Sequence, residues 1–76
     1  MKKTEIHIGT IYSDGKGRER EVLAMGPEYV LYEGQTCKEN LRYRIIKDGS
    51  KKNASKGTER NMTVAAFAAW SKTPIN

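Results

Sequence analysis

A lone cysteine, Cys37, in a chain of 76 residues leaves few ways to hold a fold together. No intrachain disulfide can form and no thiolate cluster exists for a structural zinc, so a domain of this size stands on packing alone or on a partner. The chain, residues 1–76, has room for a single domain. A domain this short buries only about 60% of the surface its unfolded form exposes. Its aromatic supply is Tyr12, Tyr29, Tyr32, Tyr43, Phe67 and Trp70, and 37% hydrophobic against 30% charged residues describes a small folded domain rather than a disordered chain. No apolar stretch approaches the ~18 residues that cross a bilayer. Met1-Lys2-Lys3 leads into Thr4-Glu5-Ile6-His7 rather than into the apolar run of a signal peptide, so a cytoplasmic protein without membrane attachment is expected. There the sequons at Asn53 and Asn61 carry no sugar.

Residues 5–12 are rich in β-branched side chains and alternate at their start, which predicts a half-buried strand with Ile6, Ile8 and Ile11 inward and a bulge at Gly9. Ser13-Asp14-Gly15-Lys16-Gly17 has the two glycines of a hairpin turn. A second strand, 18–25, returns from it. The first half of that strand is all charge, with Arg18 and Arg20 on one face and Glu19 and Glu21 on the other, and is expected to project as a solvated ribbon. After the breaker Gly26-Pro27-Glu28, Tyr29-Val30-Leu31-Tyr32 reads as a third strand. The fourth, 41–47, has the cleanest period of two: Leu41, Tyr43 and Ile45 point one way, Arg42, Arg44 and Ile46 the other. Residues 48–61 hold no apolar side chain but Ala54 and predict a flexible basic loop. Thr63 has the place of an N-cap, flanked by Met62 and Phe67 as a hydrophobic staple, for a C-terminal helix over 63–72. Val64, Phe67, Ala68 and Ser71 share one face of it, with Trp70 at the margin, and Thr73-Pro74 stops it. So short a helix must press Phe67 and Trp70 against a sheet, each worth about 2–3 kcal/mol of burial.

These elements predict a mainly β fold: a small bent antiparallel sheet or open barrel of four to five strands with a short C-terminal α-helix packed on it. Gly9 to Tyr12 as Gly-x-x-Tyr, Asp14 to Gly17 as Asp-Gly-x-Gly, and Tyr29 to Tyr32 as Tyr-Val-x-Tyr resemble the pattern of SH3-like barrels, including the small barrels that phages and other mobile elements encode. The resemblance spans about two thirds of the chain and implies an SH3-like open barrel; no family's functional residues are carried over with it.

The net charge of +5 has an address. Residues 38–60 contain eight cations and three anions, while the rest of the chain is balanced. A local excess of this kind attracts anions. Arg42 and Arg44, two apart on a strand, are spaced about 7 Å, a fit to successive phosphates, and Lys47, Lys51, Lys52, Lys56 and Arg60 extend the row along the loop. The leading expectation is therefore a non-enzymatic module binding DNA or RNA, largely without sequence preference, with Tyr12, Tyr29 or Tyr32 as candidate stacking platforms. Two alternatives stand beside it. The lysines can simply keep an exposed edge strand from pairing, an edge that would otherwise allow a homodimer. Or the protein is an adaptor or inhibitor of the phage kind, docking on an acidic host protein through Tyr29, Tyr32, Arg18 and Arg20. Catalysis has thin support: His7 and Cys37 are single residues without an orienting third group. Metal-ligand spacing is absent, no cofactor is implied, and Asp14-Gly15-Lys16-Gly17-Arg18 lacks the spacing and the following helix of a phosphate loop.

Overall fold

The computed structural model of the protein describes residues 1–75. A 3₁₀ turn, Lys3–Glu5, leads to β1 (Ile11–Ser13), β2 (Arg18–Met25), β3 (Asn40–Asp48), β4 (Glu59–Thr63), α1 (Val64–Trp70) and β5 (Thr73–Pro74). The strands form one open antiparallel sheet in the order β4-β3-β2-β1-β5, with α1 packed on it. The expected class, mainly β with a short C-terminal helix, is the observed one.

The β1–β2 hairpin and β2 itself lie where the turn chemistry puts them. Gly15 and Gly17 have φ of 78° and 91°, a backbone conformation open to glycine at little cost. Asp14 fastens the turn, accepting from the backbone N–H of Lys16 and Arg18 and from the Arg18 guanidinium. The centre of the sheet is the β2–β3 pair, running from Arg18 opposite Asp48 to Met25 opposite Leu41, with shifts of register between Glu19 and Arg20 and between Val22 and Ala24. Leu41, Tyr43 and Ile45 are buried, and Arg42 and Arg44 stand on the other face, as the period of two dictates. Thr63 caps α1, its hydroxyl accepting from Ala66 N–H at 3.1 Å. The helix is shorter than the predicted 63–72, because Ser71 turns to extended backbone at the C-cap and Thr73-Pro74 joins the sheet as an edge.

The core gathers Ile6, Tyr12, Val22, Leu41, Tyr43, Ile45, Val64, Phe67 and Ala68. Phe67 is its keystone, fully buried with its ring 5.6 Å from Tyr12, 6.0 Å from Tyr43 and 5.3 Å from Trp70. The Tyr12 hydroxyl donates to the Glu5 carbonyl and accepts from His7 N–H, which secures the N-terminal segment without a strand.

Three expectations are corrected. Residues 5–12 are not one regular strand: the expected bulge at Gly9 is present, with φ of 88°, Gly9 N–H donating to Val22 O and Val22 N–H donating to Thr10 O, but Ile6 is buried while Ile8 is 59% exposed, and the regular ladder with β2 begins at Ile11. Tyr29–Tyr32 is not a strand at all. Because β2 and β3 pair directly, no slot remains between them, and residues 26–39 form a long connection with Val30, Leu31 and Tyr32 exposed. That connection is held at its base by the buried Asn40, whose amide exchanges hydrogen bonds with Gln35. Residues 48–61, expected as a flexible basic loop, are a loop only in part. Asp48 accepts from Ser50 and from Ser55 N–H, Asn53 takes a φ of 52° and accepts from Asp48 N–H, and the last three residues belong to β4.

Candidate nucleic-acid interface

The cations of the fourth predicted strand do not form a free row. On the outer face of the sheet Arg42 meets Glu59 at 3.0 Å and the Asn61 side chain at 3.0 Å, Arg44 meets Glu21 at 3.0 Å, and Lys47 meets Glu19 at 3.4 Å. Each carboxylate comes from a neighbouring strand, so the ladder of ion pairs follows from the register of β2, β3 and β4. A phosphate approaching Arg42 or Arg44 competes with a glutamate for the guanidinium. Arg60 is exposed but sits mid-strand opposite Tyr43, hence on the other face from Arg42 and Arg44.

Lys51, Lys52 and Lys56 are different. All three are exposed and none has an ion pair among the described residues. They lie in the β3–β4 connection, and the pairing of Arg18 with Asp48 lays that connection against the β1–β2 turn. Gly17, Lys47, Gly49, Ser50, Lys51 and Asn53 line one hollow of about 190 Å³ between the two. Two lysines that the linear charge pattern did not single out arrive at the same end. Lys16 is in the turn, and Lys72 is brought beside it because its backbone N–H donates to Ser13 O at 2.8 Å and its side chain passes near Gly15. With Asp14, Arg18, Ala69 and Trp70 they line a second hollow, of about 250 Å³, on the other side of the turn.

The carboxylates at this end are already engaged. Glu19 pairs with Lys47. Burial pushes the Asp14 carboxyl up, but hydrogen bonds from Lys16 and Arg18 and the adjacent guanidinium outweigh it, leaving its pKa below the usual 3.8. Asp48 is held below the usual value by the hydrogen bonds of Ser50 and Ser55. The far end of the molecule, whose long axis is 36 Å, is mixed in sign: Glu28, Glu33 and Glu39 accompany Lys3 and Lys38 there, with Lys3 and Glu39 paired. Among the described residues, the unpaired positive charge therefore gathers mainly at one end.

Arg20 departs from the picture of a solvated ribbon. Its guanidinium lies 4.3 Å from the Trp70 ring centroid and 4.8 Å from that of Tyr43, and burial pushes its pKa down from the ordinary arginine value. It meets no carboxylate within salt-bridge distance among the described residues; the two ring faces and the Met62 sulfur, to which Nη1 donates at 3.7 Å, steady it. Arg20 and Arg18, the latter clasped to Asp14, do not converge with Tyr29 and Tyr32. The two arginines sit at the start of β2 or inside the stack, whereas the tyrosines follow its end, in a connection tied to β4 by Asn61 donating to Val30 O. Among the candidate stacking tyrosines, Tyr12 is 1% exposed and closed to a base, whereas Tyr32 is open to solvent.

His7 and Cys37 are both exposed, and the thiol contacts the Glu39 carbonyl. Among the described residues no group of three or more His, Cys, Asp or Glu is placed to hold a metal ion, and no helix is long and apolar enough to cross a membrane. Comparison with family models, with curated proteins and with solved structures found no match to this chain.

Proposed function

We propose that this protein is a non-enzymatic module that grips the backbone of a nucleic acid with the lysines at one end of its sheet. The observation that carries the reading is the junction of the β1–β2 turn with the β3–β4 connection. It collects Lys16, Lys51, Lys52, Lys56 and Lys72 from three separate parts of the sequence, while the carboxylates nearby are already satisfied. Lysines on turns neutralise phosphates without reading bases, so binding is largely independent of sequence. Arg42 and Arg44 have a different task, holding β2, β3 and β4 in register. A labelled oligonucleotide titrated against Lys51→Gln/Lys52→Gln and against Arg42→Gln/Arg44→Gln tests this division. The lysine pair is expected to lower affinity about tenfold or more at low salt, and the arginine pair to change it much less. Equal losses, or none from the lysine pair, would remove the basis of the assignment.

A second reading, docking on a host protein, is favoured by the exposed tip Val30-Leu31-Tyr32. That tip is tied to Asn61, which lies opposite Arg42, six residues along β3 from the basic end and so about 20 Å away. Val30→Ser/Tyr32→Ser therefore separates the two readings: it leaves oligonucleotide binding intact and abolishes capture of a protein partner from nuclease-treated extract.

A further inference from the structure

The two hollows at the basic end are not equivalent. The one between the β1–β2 turn and the β3–β4 connection is lined by glycine, lysine, serine and asparagine and offers a phosphate site only. The one between the β1–β2 turn and the end of α1 also has an indole. Trp70 packs against Phe67, carries Arg20 over its ring, and lines the hollow beside Ala69. Lys16 and Lys72 stand at its rim, and Arg18 is fixed to Asp14.

The walls are set before any ligand arrives. Asp14 fixes the turn through three hydrogen bonds, Ser13 Oγ accepts from Gly15 N–H, and Lys72 N–H holds the end of the helix to β1. A site whose shape is already made loses little ordering entropy on binding. At about 250 Å³ the hollow is smaller than a drug-sized pocket and suits one flat ring with its phosphate.

We propose that this hollow is a subsite for one nucleotide of a single strand, with the base against Trp70 and the phosphate between Lys16 and Lys72. The inference rests on the nucleic-acid reading above and goes beyond it, because stacking requires an unpaired base. A duplex can reach the lysines but cannot present a base face to the indole. The two hollows lie on either side of the β1–β2 turn, and β1 and β3 are about 10 Å apart, two strand spacings, so one strand seated on Trp70 continues across the turn to Lys51 and Lys52.

Trp70 is the only tryptophan in the chain, so the native protein reports on the site by itself. Titration with a short oligothymidylate, followed by both fluorescence anisotropy of a labelled strand and intrinsic emission, is expected to quench Trp70 in step with binding and to shield it from acrylamide. A duplex of the same length is expected to bind without that shielding. Trp70→Leu is expected to weaken single-strand binding about tenfold while leaving the duplex within about threefold. Trp70→Phe removes no hydrogen bond, since the indole Nε1 donates to no acceptor among the described residues, and keeps a ring for stacking. It is expected to bind within about threefold of native protein, with circular dichroism confirming the fold of both variants. Oligothymidylate that binds with no change in Trp70 emission or accessibility overturns the subsite and leaves the backbone-binding reading standing. Failure of any oligonucleotide to bind at low salt overturns both.

Discussion

Phe67→Leu is the sharpest test of how the helix and sheet are joined. Phe67 is fully buried and is the one residue whose ring meets three others, edge-on to Tyr12 at 85° and tilted at 49° to Tyr43 and Trp70. Leucine keeps most of the apolar burial but loses these ring contacts, each worth about 0.5–1.5 kcal/mol beyond area and not strictly additive. A net loss of about 2 kcal/mol is expected, since some of the space is refilled. A domain of 76 residues has a total stability of about 4–11 kcal/mol at ordinary per-residue values. At about 4–8 °C per kcal/mol the melting midpoint should drop by about 8–16 °C. Phe67→Ala, at about 3–5 kcal/mol, should lower the midpoint further, by about 12–40 °C. The assay is thermal unfolding followed by far-ultraviolet circular dichroism and by Trp70 emission, with exposed Ala65→Ser as a control that stays within about 0.5 kcal/mol. If Phe67→Leu melts within about 3 °C of the native protein, the ring cluster is not what fastens α1 to the sheet.

Other parts of the structure make equally definite statements. Asp14 and Asp48 both have folded-state pKa values below the usual 3.8, so the unfolded chain binds more protons near that pH and stability rises with pH there. Urea unfolding should show full stability above about pH 5 and a loss as pH falls through the lowered values, a loss that Asp48→Asn reduces; a midpoint that is flat down to about pH 2 would contradict the assignment. Gly49→Ala should cost more than Gly34→Ala, although the two have φ of 83° and 84°, because a Cβ at Gly49 would lie 2.9 Å from Arg18 Cγ and one at Gly34 meets nothing within 4 Å. Each pays the left-handed penalty of about 1 kcal/mol, and equal melting points would show that Arg18 yields freely. A double-mutant cycle on Arg44 and Glu21, whose side chains are 43% and 26% exposed, should give a coupling below about 1 kcal/mol that fades with added salt; a coupling above about 2 kcal/mol would mean that the pair is far less solvated than its exposure suggests.

Much of the fold was legible in the chain because local chemistry and burial agreed there. The glycines of the Asp14–Gly17 turn, the strict alternation of Leu41 to Ile45 and the Thr63 cap each specify a local geometry that the packing then uses. Tyr29–Tyr32 reads as a strand but is none, because a four-residue apolar run between breakers has no period that distinguishes a buried strand from an exposed tip. What decided it was the direct pairing of β2 with β3, a long-range fact. Strand β4 was hidden for the converse reason: Glu59-Arg60-Asn61-Met62-Thr63 has one apolar side chain, and its extended form is set by the open edge of β3. The same gap explains the candidate site. That Arg42, Arg44 and Lys47 carry positive charge is plain from sequence, but that Glu59, Glu21 and Glu19 stand across from them depends on register. Lys16 and Lys72 join the lysines of residues 51–56 only once the sheet brings three turns to one end. Arg20 looked solvated by its neighbours in sequence and is instead steadied by two rings from β3 and α1.

The salt dependence of oligonucleotide binding reaches the centre of the account. Lysines at the basic end contacting about four phosphates give a log-log slope near −3 for a single strand. Removing Lys51 and Lys52 together should bring the slope to about −1.5, whereas removing Arg42 and Arg44 should leave it close to the native value. A native slope near zero, or one that only the arginine pair reduces, would place the contact elsewhere than at the junction of the two loops.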